Sequence, residues 1–184
     1  LTPKKSLSLE RVSEIRHEYV HGCIYAMAGE SPTHSTICFN LAIVIGQQIK
    51  GTRCRGFSPN MKVRAGEGGL YAYPDLAVAC VEPVFHDQHG DVLVNPVVIF
   101  EVLSPSTENY DRGEKFARYR SVETLTDYVL VAQDGPSVEH FRRGPEGSWA
   151  RTQLSGPEAM LALDSINCRV PLADIYDRVT FLQL

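Results

Sequence analysis

Long hydrophobic runs are missing from this sequence. Across its 184 residues, no apolar stretch reaches the roughly 18 residues that a membrane-spanning helix needs. Its first residues, LTPKKSLSLERVSE, also lack the apolar core of a secretory signal. We therefore expect a cytoplasmic protein that has no membrane partner.

Cysteines are few and irregularly placed. There are five, an odd number, and no two of them stand at the CxxC spacing of zinc-binding or redox motifs. The pattern argues against a zinc site and against a disulfide framework. Cys38 and Cys80 lie in apolar runs, which predicts small buried hydrophobic side chains in a reducing compartment.

An excess of positive charge is also absent. The chain has 18 Lys and Arg against 22 Asp and Glu, a net charge of −4, which counts against tight non-specific binding to DNA. Acidic clusters that bind metal also make a protein acidic, so net charge alone does not exclude an enzyme acting on nucleic acid. The sequence further lacks a glycine-rich phosphate loop and a nucleophile elbow, which argues against a phosphotransferase or a small-molecule hydrolase.

The length and the hydrophobic pattern predict one domain over residues 1–184, with a mixed α/β (α+β) fold. A helix is predicted over 7–16, and a hairpin over 19–27 that turns at His21 and Gly22. Ser31 is a good N-cap and Pro32 suits a first helical position, which predicts a second helix from Pro32 to Gly51. Further predictions are strands over 54–66, 74–82, 96–104 and 126–132, a turn at 66–69, a helix over 107–122, a hairpin over 136–154 and a short segment over 172–176.

Glu101 is the residue that does not fit its surroundings. It interrupts the apolar run PVVIFEVLS at 96–104, a pattern typical of a strand covered on both faces. Side chains alternate along a strand, so Glu101 shares its face with Ile99 and Leu103. A carboxylate buried there would cost several kcal/mol unless it is paired or bound to a metal.

Asp75 raises the same question at the head of the apolar strand at 74–82. If this strand neighbours that of Glu101, the two carboxylates point toward one spot. At about 4 Å they would repel by roughly 4 kcal/mol at an effective dielectric of 20. A divalent cation removes this repulsion, and oxygen ligands suit Mg²⁺ or Mn²⁺.

Lys115 supplies a cation on the helix that follows. Asp111 and Lys115 stand at i and i+4, on one helical face, and a short turn joins that helix to the strand of Glu101. The Lys115 ammonium could orient the attacking water, help deprotonate it, or stabilise charge on a phosphate.

These residues belong to a longer pattern. It consists of Pro74-Asp75, EVLSPST at 101–107, DRGEKF at 111–116 and Tyr119, together with Glu18-Tyr19, Gly22, Ser31-Pro32 and His34. The pattern resembles the Uma-type restriction endonuclease family, which belongs to the PD-(D/E)XK nuclease superfamily. The resemblance extends from Leu9 to Tyr176.

The resemblance implies a restriction-endonuclease-like core, a mixed central sheet flanked by helices, with an N-terminal hairpin. It implies a Mg²⁺-dependent (or Mn²⁺-dependent) endonuclease that hydrolyses phosphodiester bonds of DNA and works as a homodimer. Asp75 and Glu101 would hold the metal, with Lys115 as the third catalytic residue. One departure is Leu103, at the position where the superfamily normally has its lysine; we assign that role to Lys115. This departure and the acidic net charge leave open an alternative, a catalytically weak or inactive nuclease-fold protein that binds nucleic acid or acts as a scaffold.

Further residues are candidates for supporting roles. Glu18 could add a carboxylate to the site, His34 could line the pocket, and Asp111 could position Lys115. Ser104, with Ser106 and Thr107, is predicted to cap the helix of Lys115, and Tyr119 and Tyr128 are predicted to pack at the edge of the core. Structural alternatives stand beside the catalytic ones: Asp75 as an exposed strand-initiating residue, Glu101 paired with an arginine, and Lys115 as a surface partner of Asp111.

Overall fold

The computed structural model describes residues 1–67 and 69–181, and the predicted turn at 66–69 includes Gly68, which lies outside them. Helical segments are α1 (Pro3–Glu10), α2 (Pro32–Ile49), α3 (Glu108–Tyr110), a π-helical segment (Asp111–Lys115), α4 (Phe116–Tyr119), a 3₁₀ turn (Asp164–Ile166) and α5 (Leu172–Ile175). The strands are β1 (His17–Val20), β2 (Cys23–Ala26), β3 (Arg55–Phe57), β4 (Lys62–Ala65), β5 (Leu70–Ala72), β6 (Leu76–Ala79), β7 (Val92–Leu93), β8 (Val98–Val102), β9 (Asp127–Val131), β10 (Ser137–Arg143), β11 (Trp149–Ser155), β12 (Met160–Leu163) and β13 (Cys168–Pro171). Among these residues, no helix combines the length and the apolar character needed to cross a bilayer.

The strands form three sheets. The central one has six strands in the order β11-β10-β9-β8-β6-β3, in which β8 and β9 run parallel and the other pairs antiparallel. A second sheet has the order β2-β1-β5-β4-β7, and β12 pairs with β13. The predicted mixed α/β fold with a mixed sheet and an N-terminal hairpin is confirmed.

Both faces of the central sheet are covered. One face packs against α2, whose buried Leu41 and Ile45 join Phe100 and Val129 in one apolar cluster. The opposite cluster contains alternate residues of the same strands, such as Ile99. Strand β8 therefore lies between two apolar layers, which explains its nearly continuous apolar sequence.

Two local predictions are confirmed, and each depends on turn or cap chemistry. The first hairpin turns at His21 and Gly22, both at positive φ, and glycine adopts this conformation without steric penalty. Helix α2 begins at Pro32, and the Ser31 side chain accepts a hydrogen bond from the His34 amide. Local signals of this kind require no information about the rest of the chain.

Two predicted elements are wrong. The first helix occupies Pro3–Glu10 rather than 7–16, because Thr2 caps it and Pro3 begins it, and Val12 is left 81% exposed. The predicted strand over 54–66 is two strands, β3 and β4, in different sheets, since the segment that contains Pro59 leaves one sheet for the other. Strands β5, β7, β12 and β13 were not predicted.

The prediction against disulfides is also wrong. Cys54 and Cys80 are joined by a disulfide. Strand pairing brings them together. The antiparallel register of β3 and β6 places Arg55 opposite Ala79, so Cys54, just before β3, faces Cys80, just after β6. Cys80 is buried as expected, but it is not an unpaired thiol.

The helix predicted over 107–122 is shorter and irregular. It consists of α3, the π-helical segment and α4, and it ends at Tyr119. Within the described part of the chain, no side chain caps its start; the backbone carbonyl of Ser104 accepts from the Glu108 amide instead, so the predicted capping is wrong. A π-helical segment of this kind is often found at functional sites. Here it contains the buried Asp111 and Lys115.

Asp127, at the start of β9, is a buried polar residue whose replacement tests the packing of this sheet. It is 1% exposed; His140 Nε2 lies 2.7 Å from its Oδ1, and the Thr126 and Ser165 hydroxyls donate to its Oδ2. Burial alone would raise the pKa of Asp127, but these hydrogen bonds outweigh it and hold the pKa below its usual value. We expect Asp127→Asn to lower the free energy of unfolding by about 2 kcal/mol at pH 7, measured by urea denaturation.

The pH dependence of this effect has a definite sign. A carboxylate whose pKa is lowered by folding stabilises the protein above its unfolded pKa of about 3.9, and the contribution is lost as the pH falls through the folded value. The difference in free energy of unfolding between wild type and Asp127→Asn should therefore decrease below about pH 4. Asp134→Asn, at an exposed position, is the control. A difference that is constant with pH, or equal to that of the control, would contradict the assignment.

Candidate active site

Asp75 and Glu101 meet at one end of the central sheet. The register of β6 and β8 pairs Leu76 with Phe100, so Asp75, one residue earlier, stands beside Glu101. The Asp75 Oδ2 accepts a hydrogen bond of 2.6 Å from the Val102 amide, which fixes this carboxylate against the end of β8. Adjacent strands thus contribute both acidic residues to one region.

The ammonium of Lys115 reaches this region from the π-helical segment. Its Nζ lies 2.9 Å from Glu101 Oε1, 3.3 Å from Glu18 Oε1 and 3.5 Å from Asp111 Oδ1. Lys115 is 5% exposed and Glu101 4%. Lys115 is therefore not a surface residue, as one structural alternative had it. The cation paired with Glu101 is this buried lysine and not an arginine.

Glu18 comes from the second sheet. It lies in β1, and its Oε1 accepts a hydrogen bond of 3.2 Å from the Tyr73 amide as well as contacting Lys115. A residue more than 80 positions away in sequence from Glu101 therefore faces the same ammonium. Packing of the two sheets is what brings Glu18 to the site.

Charge is unbalanced in this cluster. Three carboxylates, those of Glu18, Glu101 and Asp111, surround the ammonium of Lys115, and a fourth, that of Asp75, lies beside Glu101 on the next strand. Burial raises the pKa of Glu101; Lys115 opposes the rise, and the charges of the other three carboxylates add to it. Burial alone would lower the pKa of Lys115, but the surrounding carboxylates outweigh it and raise the pKa. The lysine is therefore held as an ammonium.

His34 contacts this cluster from α2. Its Nε2 lies 3.4 Å from Asp75 Oδ1, and its Nδ1 lies 3.0 Å from Glu30 Oε2. Burial alone would lower the pKa of His34, but Asp75 and Glu30 outweigh it and raise the pKa to about 9. His34 is thus a positively charged neighbour of Asp75 at neutral pH.

Ser104 lies in a turn, and Leu103 lies in the apolar core. The Ser104 hydroxyl lies 2.8 Å from Thr107 Oγ1 and 3.1 Å from Ser106 Oγ, within the turn that joins β8 to α3. Leu103, at the superfamily's usual lysine position, is buried in the apolar cluster that includes Phe116. Among the described residues, the ammonium beside Glu101 belongs to Lys115.

Tyr119 was predicted only to pack, and its polar contact was missed. It is fully buried, and its hydroxyl donates to Glu101 Oε1 at 3.3 Å. The signal was available in the sequence, since Asp111, Lys115 and Tyr119 follow one another at intervals of four on one helical face. Tyr119 thus helps to orient the carboxylate of Glu101.

The donor set suits a hard divalent cation. Carboxylate oxygens from Asp75 and Glu101 are the ligands that Mg²⁺ and Mn²⁺ prefer. The excess of negative charge, which raises the pKa of Glu101, is what a divalent cation would balance. The residues present therefore fit the metal that the resemblance implies.

Comparisons with known proteins give a consistent result. The sequence matches the Uma2 family, described as "Putative restriction endonuclease", over residues 3–173. Two proteins of Synechocystis sp. are similar to it. "Uncharacterized protein sll1609" is 33% identical over 159 residues, which cover 86% of this chain and 90% of that protein. "Uncharacterized protein slr1290" is 32% identical over 182 residues, which cover 98% of this chain and 94% of that protein.

The fold also matches a solved structure. The crystal structure of a "putative nuclease belonging to DUF820" from Anabaena variabilis superposes with a TM-score of 0.80. The match covers 98% of this chain and 99% of that one, at 19% sequence identity. At this identity the likeness establishes the fold.

Proposed function

Because the chain belongs to the Uma2 family, whose description is "Putative restriction endonuclease", we propose that it is a metal-dependent endonuclease that hydrolyses phosphodiester bonds of DNA. The observation that carries this proposal is the buried contact of 2.9 Å between Lys115 and Glu101, with Asp75 beside them on the next strand. This arrangement supports catalytic roles for Asp75, Glu101 and Lys115. Nucleases of this kind need acidic metal ligands and a nearby cation in one place.

Asp75 and Glu101 are the proposed ligands of Mg²⁺, or of Mn²⁺. When bound, such an ion lowers the pKa of a coordinated water and stabilises negative charge on the phosphate. The protein's own contribution is orientation: the Val102 amide fixes Asp75, and the Tyr119 hydroxyl and Lys115 fix Glu101. Ligands held in this way lose little freedom when a metal binds.

Lys115 is the proposed electrostatic catalyst. Its contacts with three carboxylates maintain its positive charge, and an ammonium donates hydrogen bonds but does not accept a proton. We therefore assign to Lys115 the stabilisation of negative charge on the phosphate and the orientation of the attacking water, rather than its deprotonation. Glu18 and Asp111 position this ammonium, and His34 positions Asp75.

A homodimer is part of the proposal. One hydrolytic centre of this kind cuts one strand, so cleavage of both strands of a duplex at one place is most simply done by two copies related by symmetry. A dimer should convert supercoiled plasmid to linear DNA, and single centres that act independently should accumulate nicked circles first.

The direct test is cleavage of supercoiled plasmid by the purified protein. With Mg²⁺ or Mn²⁺ we expect nicked and linear products, and with EDTA we expect none. The affinity for a labelled duplex, measured at several salt concentrations, would report binding separately from cleavage. If the protein binds the duplex but cuts neither DNA nor RNA with either metal, the proposal is rejected in favour of a nucleic-acid-binding role. Cleavage of RNA alone would reject DNA as the substrate.

A further inference from the structure

A second cluster of metal-ligating side chains lies beside the acidic site. It consists of Glu30, just before α2, and of His34 and Cys38 on that helix; each offers one ligand atom, and these atoms all lie within 4.8 Å of one another. Two of them approach the same ring nitrogen: Glu30 Oε2 lies 3.0 Å and Cys38 Sγ 3.5 Å from His34 Nδ1. The spacing His-x₃-Cys places His34 and Cys38 on one side of α2, and Glu30, which precedes the helix, reaches His34 from the chain that enters it.

We propose that Glu30, His34 and Cys38 form a binding site for a transition-metal ion of the zinc type. Zinc bonds of about 2.3 Å to sulfur and about 2.0–2.1 Å to nitrogen, at a tetrahedral angle, place the two ligand atoms about 3.5 Å apart. This is the separation between Cys38 Sγ and His34 Nδ1. The same geometry places oxygen and nitrogen ligands about 3.3 Å apart, against 3.0 Å for Glu30 and His34.

The chemistry of the ligands separates this site from that of Asp75 and Glu101. A thiolate and an imidazole select zinc and similar metals, whereas two carboxylates suit Mg²⁺ and Mn²⁺. The site is also reachable from solvent, since the Glu30 side chain is 51% exposed. Three protein ligands leave a fourth tetrahedral position for water.

A metal-bound imidazole usually donates its other N–H to an outer-shell partner, and in His34 that partner is Asp75. The His34 Nε2 lies 3.4 Å from Asp75 Oδ1, so a metal that displaces the Nδ1 proton to solvent leaves the Nε2–H directed to a carboxylate. Metal binding would then fix the ring of His34 and, through it, the position of Asp75. This last consequence rests on the proposed function, whereas metal binding itself does not.

The test uses the full-length protein, freed of metal, with Zn²⁺ and Co²⁺ as probes. Competition with a chromophoric chelator should show one Zn²⁺ per chain. Co²⁺ should give the absorption of a tetrahedral ion together with a thiolate-to-cobalt charge-transfer band, which requires a sulfur ligand. We expect Cys38→Ser to abolish that band and to weaken Zn²⁺ binding by more than about 100-fold, since loss of even an outer-shell partner costs about 10–100-fold.

Matched variants keep this inference falsifiable. Cys23→Ser removes an exposed free thiol outside the cluster and should leave both metals bound as in wild type. Glu30→Gln changes an exposed side chain and should weaken Zn²⁺ binding without loss of fold. Absence of Zn²⁺ binding, a charge-transfer band that survives Cys38→Ser, or unchanged affinity in both ligand variants would overturn the inference.

The two metal proposals fail in different ways. Glu101→Gln should leave Zn²⁺ affinity and the cobalt spectrum unchanged, because Glu101 is not one of the three ligands. If Zn²⁺ binding is lost in Glu101→Gln and retained in Cys38→Ser, the ion occupies the acidic site and the zinc inference is wrong. If plasmid cleavage is absent but the cobalt spectrum is as expected, only the proposed function fails.

Discussion

Glu101→Gln is expected to lower the rate of Mg²⁺-dependent plasmid cleavage by at least about a thousandfold, equivalent to about 4 kcal/mol of transition-state stabilisation. The substitution keeps the size and shape of the side chain and removes the negative charge proposed to bind the metal. The measurement is the initial rate of loss of supercoiled DNA under single-turnover conditions. Glu114→Gln is the matched control, because Glu114 is an exposed carboxylate on the same helical segment as Lys115. This variant should cleave DNA at the wild-type rate.

The same substitution should not destabilise the metal-free protein. Burial and the charges of Asp111, Asp75 and Glu18 raise the pKa of Glu101, so its ionised form is disfavoured in the fold. A neutral amide removes this repulsion, and Lys115 keeps its contacts with Glu18 and Asp111. We expect a free energy of unfolding equal to or above that of wild type in EDTA. Full cleavage activity in a folded Glu101→Gln protein would reject the proposed site.

Lys115→Met is expected to abolish cleavage and also to lower the free energy of unfolding by about 3–5 kcal/mol. Removal of one partner from a buried ion pair leaves the other charge uncompensated, and here three carboxylates lose the same cation. Methionine keeps the length of the aliphatic chain, so the loss of charge is tested with little loss of packing. Urea denaturation at pH 7 in EDTA measures the stability, and the plasmid assay measures the activity.

A double variant distinguishes the electrostatic cause from a packing defect. If repulsion among carboxylates destabilises Lys115→Met, then adding Glu101→Gln to Lys115→Met should raise the free energy of unfolding by more than Glu101→Gln raises it in the wild type. Effects of the two substitutions that simply add, with no coupling between the two positions, would contradict this account. Arg118→Met is a suitable control, because Arg118, in the adjoining α4, is a cation that pairs with the exposed Glu114.

Lys115 is the residue to which we assign the role of the lysine that the superfamily normally has at position 103. Position 103 is a leucine that packs in the core with Phe116, yet the ammonium of Lys115 still lies 2.9 Å from Glu101. The π-helical segment at Asp111–Lys115 directs both of its buried polar residues toward the end of β8. The sequence indicated Lys115 through its helical spacing from Asp111, but the π-helical geometry was not predictable from that spacing.

What the sequence by itself determined came from neighbours along the chain. Glu101 was identified because alternation along a strand shows a charged residue on a buried face. Ser31 and Pro32 located the start of α2, and His21-Gly22 located the hairpin turn, because caps and turns depend on a few adjacent residues.

What only the tertiary structure decided depends on strand register and on packing between sheets. Glu18 reaches Lys115 because β1 belongs to a second sheet that lies near the π-helical segment of Lys115. Cys54 meets Cys80 only because β3 pairs with β6 in one particular register. Local patterns state which residues form a strand but not which strand lies beside it, because that choice depends on contacts among residues far apart in the chain.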